Sequence, residues 1–176
     1  MVVVGKDLPE STNAARRAIT ARVAENLATP TGLSFSADAH LLVANRASGE
    51  VLSLNLQARA RRVLAHSFSL PVGVVEMPDR SLVVSQYGGR VTRVMPNGSR
   101  QELGQSFVRP GVGILADGAD AILVIDNGAG LVRRVVFDGR SSEVSNKLPG
   151  SAVALGRDDN GNLLVGTWGK GALYRI

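Results

Sequence analysis

The sequence predicts an all-β fold of four, or at most five, four-stranded blades set around a common axis. Three observations carry that prediction. One stretch of pattern recurs: Pro30, Pro71, Pro110 and Pro149 are spaced 41, 39 and 39 residues apart, and a fixed period of that size marks a repeat architecture. Each repeat then divides into four short apolar or alternating runs separated by turn residues, the pattern of a β-propeller blade. Finally, the 176 residues include 20 glycines and 44% apolar residues, enough for frequent tight turns and a proper core, while helical periodicity is scarce.

The repeats run near residues 28–66, 67–106, 107–145 and 146–176. In each, a first run follows the proline: Gly32–Phe35, Gly73–Glu76, Gly113–Leu115 and Ala152–Leu155. A polar turn at Asp38, Pro78-Asp79, Asp117-Gly118 or Asn160-Gly161 leads to the most apolar run: Leu41–Ala44, Leu82–Ser85, Ile122–Ile125 and Leu163–Gly166. Short continuous apolar runs suit strands packed on both faces. The third run alternates, as in Val91-Thr92-Arg93-Val94, and Pro96-Asn97-Gly98 and Asp138-Gly139 make hairpin turns into a polar fourth run, Ser99–Leu103 and Arg140–Val144. A polar last run fits an outer edge strand.

The last repeat stops after its third run. The segment 18–27 stands at the spacing of a fourth strand before Pro30, so the sequence predicts that it pairs with Ala172–Ile176 and closes the ring. Ala15, Ile19, Val23 and Leu27, four apart after Ser11-Thr12-Asn13, also read as a capped helix. Residues 1–17 read as a tail or as part of a further blade, since Val2-Val3-Val4-Gly5 is similar to Leu163-Leu164-Val165-Gly166.

Pro30-Thr31-Gly32-Leu33, Pro71-Val72-Gly73-Val74, Asn160-Gly161-Asn162-Leu163 and the ending Ala172-Leu173-Tyr174-Arg175-Ile176 resemble NHL-type propellers and the related senescence marker protein/gluconolactonase-like (SGL) family, over residues 20–176. The resemblance implies a channel-centred divalent cation, calcium or zinc, held by a glutamate, asparagines and an aspartate, and a lactonase activity. Asp126 stands where that aspartate could be. The asparagine of the family's Pro-Asn-Gly would have to stand at Thr31 or Val72, and no Glu-Gly-Pro supplies the glutamate.

Composition bounds the chemistry. There is no cysteine, which excludes disulfides and thiolate sites and suits a reducing compartment. No apolar run approaches a membrane helix and Met1–Val4 is too short for a signal core, so the expectation is a cytoplasmic protein without membrane contact. The net charge of +5 comes from scattered arginines and allows polyanion binding.

The loops that follow the second strands, with those that precede the first, should share one face. There Asn45, Gln86, Asp126 and Thr167 hold matching places, a candidate polar ring joined by Arg46, Tyr87, Arg109, Asn127 and Trp168. Mixed polar and aromatic loop residues suit a small-molecule or protein ligand, and Tyr87 and Trp168 suit stacking on a sugar or base. The same residue types also make turns. No cofactor is expected on the binding reading; under the hydrolase reading Asp126 is the metal ligand. The chain is expected as a monomer or as a homodimer completing a larger propeller. Asp158-Asp159-Asn160-Gly161-Asn162 fails the EF-hand template and reads as a hairpin. His40 and His66 have no motif beside them that makes a catalytic pair.

Overall fold

In the computed structural model, which describes residues 22–104 and 107–176, each repeat forms one antiparallel sheet. Blade one is β1 (Pro30–Phe35), β2 (Leu41–Asn45), β3 (Glu50–Asn55) and β4 (Ala60–Ala65). Blade two is β5 (Pro71–Glu76), β6 (Leu82–Gln86), β7 (Arg90–Val94) and β8 (Arg100–Leu103). Blade three is β9 (Pro110–Ala116), β10 (Ala121–Asp126), β11 (Leu131–Val136) and β12 (Ser141–Glu143). Blade four has three strands, β13 (Ser151–Arg157), β14 (Leu163–Trp168) and β15 (Ala172–Arg175). The architecture is a four-bladed all-β propeller with no helix among the described residues.

The core lies between the blades, which is why the second strands are apolar without alternation. Leu42 and Ala44 of β2 pack with Val74, Leu82 and Val84 of blade two, whereas Val43 turns to the other face. Val83, Val91 and Leu103 meet Ile114, Ile122 and Val124 of blade three, and Leu123, Ile125 and Val132 meet Ala152 and Val165 of blade four. All six residues of β10 are buried, since both its faces have a neighbour.

The glycine two or three residues after each of the first three marker prolines has a steric cause. A Cβ at Gly32 would lie 2.3 Å from the Val72 carbonyl oxygen, one at Gly73 2.5 Å from that of Val112, and one at Gly113 2.8 Å from the Leu155 nitrogen. The innermost strands of successive blades converge there with backbone against backbone, and only glycine permits the approach. A register shift beside this point in every sheet bends the inner strand towards the axis.

The hairpins form as their turn chemistry requires. Gly98, Gly139 and Gly161 have φ of 85°, 96° and 83°. Asp158 accepts the Asn160 and Asn162 N–H groups at 3.0 and 2.8 Å and the Asn162 amide at 2.8 Å, so the acidic stretch is a self-satisfied turn.

The chain ends depart from expectation. Among the described residues β15 pairs only with β14, and 22–27 form neither strand nor helix. Instead Ala24 and Leu27 pack on Val43, Leu52 and Leu54 of blade one. Among the described residues no blade precedes this face of blade one, and burying its aliphatic groups outweighs edge pairing. The inner strands pack in the series β1, β5, β9, β13, and no such packing joins β13 back to β1. Among the described residues the four blades therefore form an arc. Residues 18–21, and the tail or partial blade at 1–17, lie outside the described residues.

Candidate functional site

Three backbone bonds build the loop face. The residue after the second strand donates its N–H to the residue before the blade's proline, Arg46 to the Thr29 carbonyl at 3.1 Å and Tyr87 to the Leu70 carbonyl at 2.9 Å. In blade three the bond shifts by one residue, from Gly128 to the Arg109 carbonyl at 3.3 Å. Thr29 and Leu70 sit at φ of 57° and 54°, a left-handed conformation costly for a side chain with a Cβ, held by these ties.

The four members of the polar ring are buried. Asn45, Gln86, Asp126 and Thr167 are 3%, 4%, 0% and 6% exposed, which decides what they can touch. Gln86 Oε1 accepts the Ser69 N–H at 2.8 Å, and Asp126 Oδ2 accepts the Val108 N–H at 3.1 Å. Ser69 and Val108 both stand two residues before a marker proline, so the two side chains do the same work in successive blades. Gln86 Nε2 also donates to Thr92 Oγ1 at 2.6 Å. Asn45 donates to Ser48 Oγ at 2.7 Å, and Thr167 donates to the Ala172 carbonyl at 3.3 Å. These groups tie turns to connectors.

Asp126 is the most heavily engaged. Its carboxylate accepts the N–H groups of Val108 and Arg109, at 3.1 and 2.9 Å, and the Arg133 Nε–H at 3.1 Å. The Ala129 N–H adds a fourth contact at 3.4 Å, so a cation held by Asp126 would displace four donors, one of them a guanidinium of the same charge sign. Calcium needs six to eight oxygens, and no cluster of three His, Cys, Asp or Glu side chains occurs among the described residues. This donor set fits a guanidinium and does not fit a metal ion.

Three of the exposed loop residues converge. The Arg46 and Arg109 guanidinium carbons lie 5.1 and 5.0 Å from the Tyr87 ring centroid, and Arg109 Nη1 donates to the Tyr87 hydroxyl at 3.1 Å. Blades one, two and three each supply one member. Among the described residues neither arginine has an acidic partner, and Arg46 Nε is buried with no hydrogen-bond acceptor. Two cations on one aromatic ring are held by its quadrupole and leave unspent donors for an anion. Asn127 stands apart, its amide donating at 2.7 Å to both Ser151 Oγ and the Ala152 carbonyl and so joining blades three and four. Trp168, 71% exposed, lies outside the cluster on the last blade.

One group went unread in the sequence. A cleft of about 260 Å³ on blade one is lined by Ser36, Asp38, His40, Ser53, Asn55 and Arg61, among others. Asn55 Oδ1 accepts the Gln57 and Ala58 N–H groups at 3.1 and 2.9 Å, which orients its amide nitrogen, 3.1 Å from His40 Nε2, as the donor. His40 Nδ1 therefore carries the proton and donates to Ser53 Oγ at 3.3 Å. The proton faces the serine, opposite to what a general base on that serine needs.

The fold is shared with solved structures. A virginiamycin B lyase from Staphylococcus aureus, a catalytically inactive variant with quinupristin, superposes with a TM-score of 0.67 at 17% identity, over 86% of this chain and 56% of that one. A gluconolactonase from Xanthomonas campestris gives 0.67 at 19%, over 80% and 55%. A chain of a nidogen/laminin complex gives 0.73 at 16%, over 86% and 60%. The propeller is common to all of them. At these identities the likeness is one of fold. The chain spans between 54% and 60% of the length of the solved structures it matches. At the level of sequence, no protein-family model and no curated protein matches it.

Proposed function

We propose that this chain is a binding propeller whose loop face takes an anionic group, on a small molecule or a protein, at Arg46, Tyr87 and Arg109. The observation that carries the reading is the convergence of two guanidinium groups on one phenol ring, without an acidic partner among the described residues. A carboxylate or phosphate fits between them through charge-assisted hydrogen bonds. Structures of this fold include a gluconolactonase, a lyase and a chain of a nidogen/laminin complex, so the fold does not choose the function and the site must. Trp168 and Asn127 extend the same face in this reading. A cytoplasmic setting is part of it, resting on the cysteine-free sequence. A hydrolase centred on Asp126 has less support, because its carboxylate is fully engaged by Arg133 and backbone N–H groups.

The test is calorimetric titration with phosphate, citrate and gluconate, on the wild type and on the Arg46→Ala/Arg109→Ala double variant. The expected result is anion binding that weakens with salt and is lost in the double variant. Anion affinity equal in the two proteins would remove the proposal.

A further inference from the structure

Charge is sorted between the two ends of the blades. Among the described residues, the loops that leave the second and fourth strands carry Arg46, Arg109, Lys147 and Lys170, and no acid. Those that leave the first and third strands carry Asp38, Asp79, Asp117, Asp120, Asp138 and the Asp158-Asp159 pair, with Arg59, Arg80 and Arg140. The acidic end is largely neutralised by its own partners. Asp38 is paired with Arg80, Asp79 with Arg93, Asp117 with Arg134 and Arg157, and Asp138 with Arg140. No ion pair among the described residues involves any of the four loop-face cations. Uncompensated positive charge therefore gathers on the loop face.

Aliphatic side chains stand among these cations. Leu70 and Val108, in the connectors that enter blades two and three, are 41% and 64% exposed. The Leu70 carbonyl accepts the Tyr87 N–H at 2.9 Å. Val108 precedes Arg109 and lies over Gly128, where an added Cβ would fall 2.6 Å from its Cγ1. Both therefore flank the Arg46–Tyr87–Arg109 cluster. Lys147 lies over the next turn, its Cγ 3.6 Å from the point where a Cβ on Gly130 would stand.

This mixture separates two kinds of polyanion. A nucleic acid is held by cations that track its phosphates and by open aromatic faces on which bases stack. Here the Tyr87 ring already carries two guanidinium groups, and exposed aliphatic groups gain nothing from a phosphate backbone. A protein segment rich in carboxylates matches both features, since its acids pair with guanidinium groups and its apolar side chains cover aliphatic ones.

We infer that the loop face docks an acidic segment of a partner protein, its carboxylates against Arg46, Arg109 and Lys147 and an apolar side chain against Leu70 and Val108. The inference rests on the anion site proposed above and names the class of its ligand. The surplus positive charge at one end draws the segment there and sets its orientation. The aliphatic contact supplies affinity that salt does not screen.

The test is selection from a random peptide display library on the immobilised full chain, followed by fluorescence anisotropy of the selected peptides. The expected consensus is rich in Asp and Glu and includes Leu, Ile or Phe, and its binding weakens with salt. Leu70→Asn and Lys147→Glu should each weaken that binding at least ~10-fold, the equivalent of about 1.4 kcal/mol. Asp159→Asn, exposed at the opposite end, should leave it unchanged. Asparagine tolerates the φ of 54° at Leu70, Lys147 is exposed, and circular dichroism checks the fold of each variant. A neutral or basic consensus, no enrichment, or a selected peptide that Leu70→Asn binds as well as the wild type would overturn the inference. Displacement by oligothymidylate at a lower concentration than by unlabelled peptide would assign the face to nucleic acid and overturn it too. Phosphate titration separates the two readings. Phosphate bound through Arg46 and Arg109 with no acidic consensus removes this inference alone; neither phosphate nor peptide bound removes both.

Discussion

Asp126→Ala tests whether the polar residues at the strand ends hold the propeller together. The substitution removes a fully buried carboxylate that accepts from Val108, Arg109 and Arg133 within 3.1 Å. Arg133 is 16% exposed and would keep Glu143, at 3.4 Å and itself 56% exposed, and the Phe107 ring, 5.9 Å away. Removing one partner of a buried pair costs about 3–5 kcal/mol because the other charge is left uncompensated. The residual Glu143 contact and water access to the loop N–H groups place the expected loss near the lower bound, about 3 kcal/mol. That is a large fraction of the roughly 5–15 kcal/mol that stabilises a domain of this kind. Urea unfolding followed by circular dichroism should show it as a midpoint lowered by about 1–3 M. Asp126→Asn keeps an acceptor for the loop but loses the charge pair, and should fall between. A loss below about 1 kcal/mol for the alanine variant, with calcium or zinc binding by the wild type abolished in it, would refute the argument and restore Asp126 as a metal ligand.

Three further outcomes follow from the geometry. Gly73→Ala places a Cβ 2.5 Å from the Val112 carbonyl oxygen and 2.7 Å from Ser85 Oγ, and should destabilise by about 1–3 kcal/mol in the same assay. Ala39, exposed at φ 58°, should respond in the opposite sense. Ala39→Gly relieves the left-handed strain, a net gain of about 0.5–1 kcal/mol read as a higher melting temperature. The third concerns acid. The Asp79 carboxyl is held below its ordinary 3.8, first by the Ser81 hydroxyl and then by the Ser81 N–H and Arg93. Asp38 is held down by Arg80, Asp138 by the Arg140 N–H and side chain, and Asp158 by Asn162. Folded values below the unfolded ones mean stability fully present above about pH 4 and lost as pH falls through the depressed values. The melting temperature should hold from pH 6 to about 4 and then decline, less steeply in Asp79→Asn; a flat profile down to the acid limit would contradict the assignment.

The blades were legible in the sequence because their signals are local. A proline-glycine pair opens each inner strand in three of the four repeats, and unbroken apolar runs such as Ile122–Ile125 announce burial on both faces. The structure extends those runs by one or two residues, to Asn45, Gln86, Asp126 and Trp168, because each terminal residue still pairs with the start of the inner strand. The role of the polar ends was not legible. Asn, Gln and Asp are the same residue types whether they accept a connector N–H or line an opening, and only the direction of the side chain separates the two. Nor was the Arg46–Tyr87–Arg109 cluster, whose members stand 41 and 22 positions apart and meet only once three blades stack. The ends of the arc follow the same logic. Repeat phase placed 18–27 at the spacing of a fourth strand, yet Leu27 packs on Val43, Leu52 and Leu54 instead, because whether a strand pairs there depends on a neighbour that the period does not contain.

The most direct measurement is hydrogen exchange resolved by strand, on dilute wild-type protein. An arc with open ends predicts slow exchange at β10, buried on both faces, and fast exchange along β15, which pairs on one edge only. Protection of β15 equal to that of β10 in the dilute monomer would mean that the ring closes within one chain, and would contradict the account.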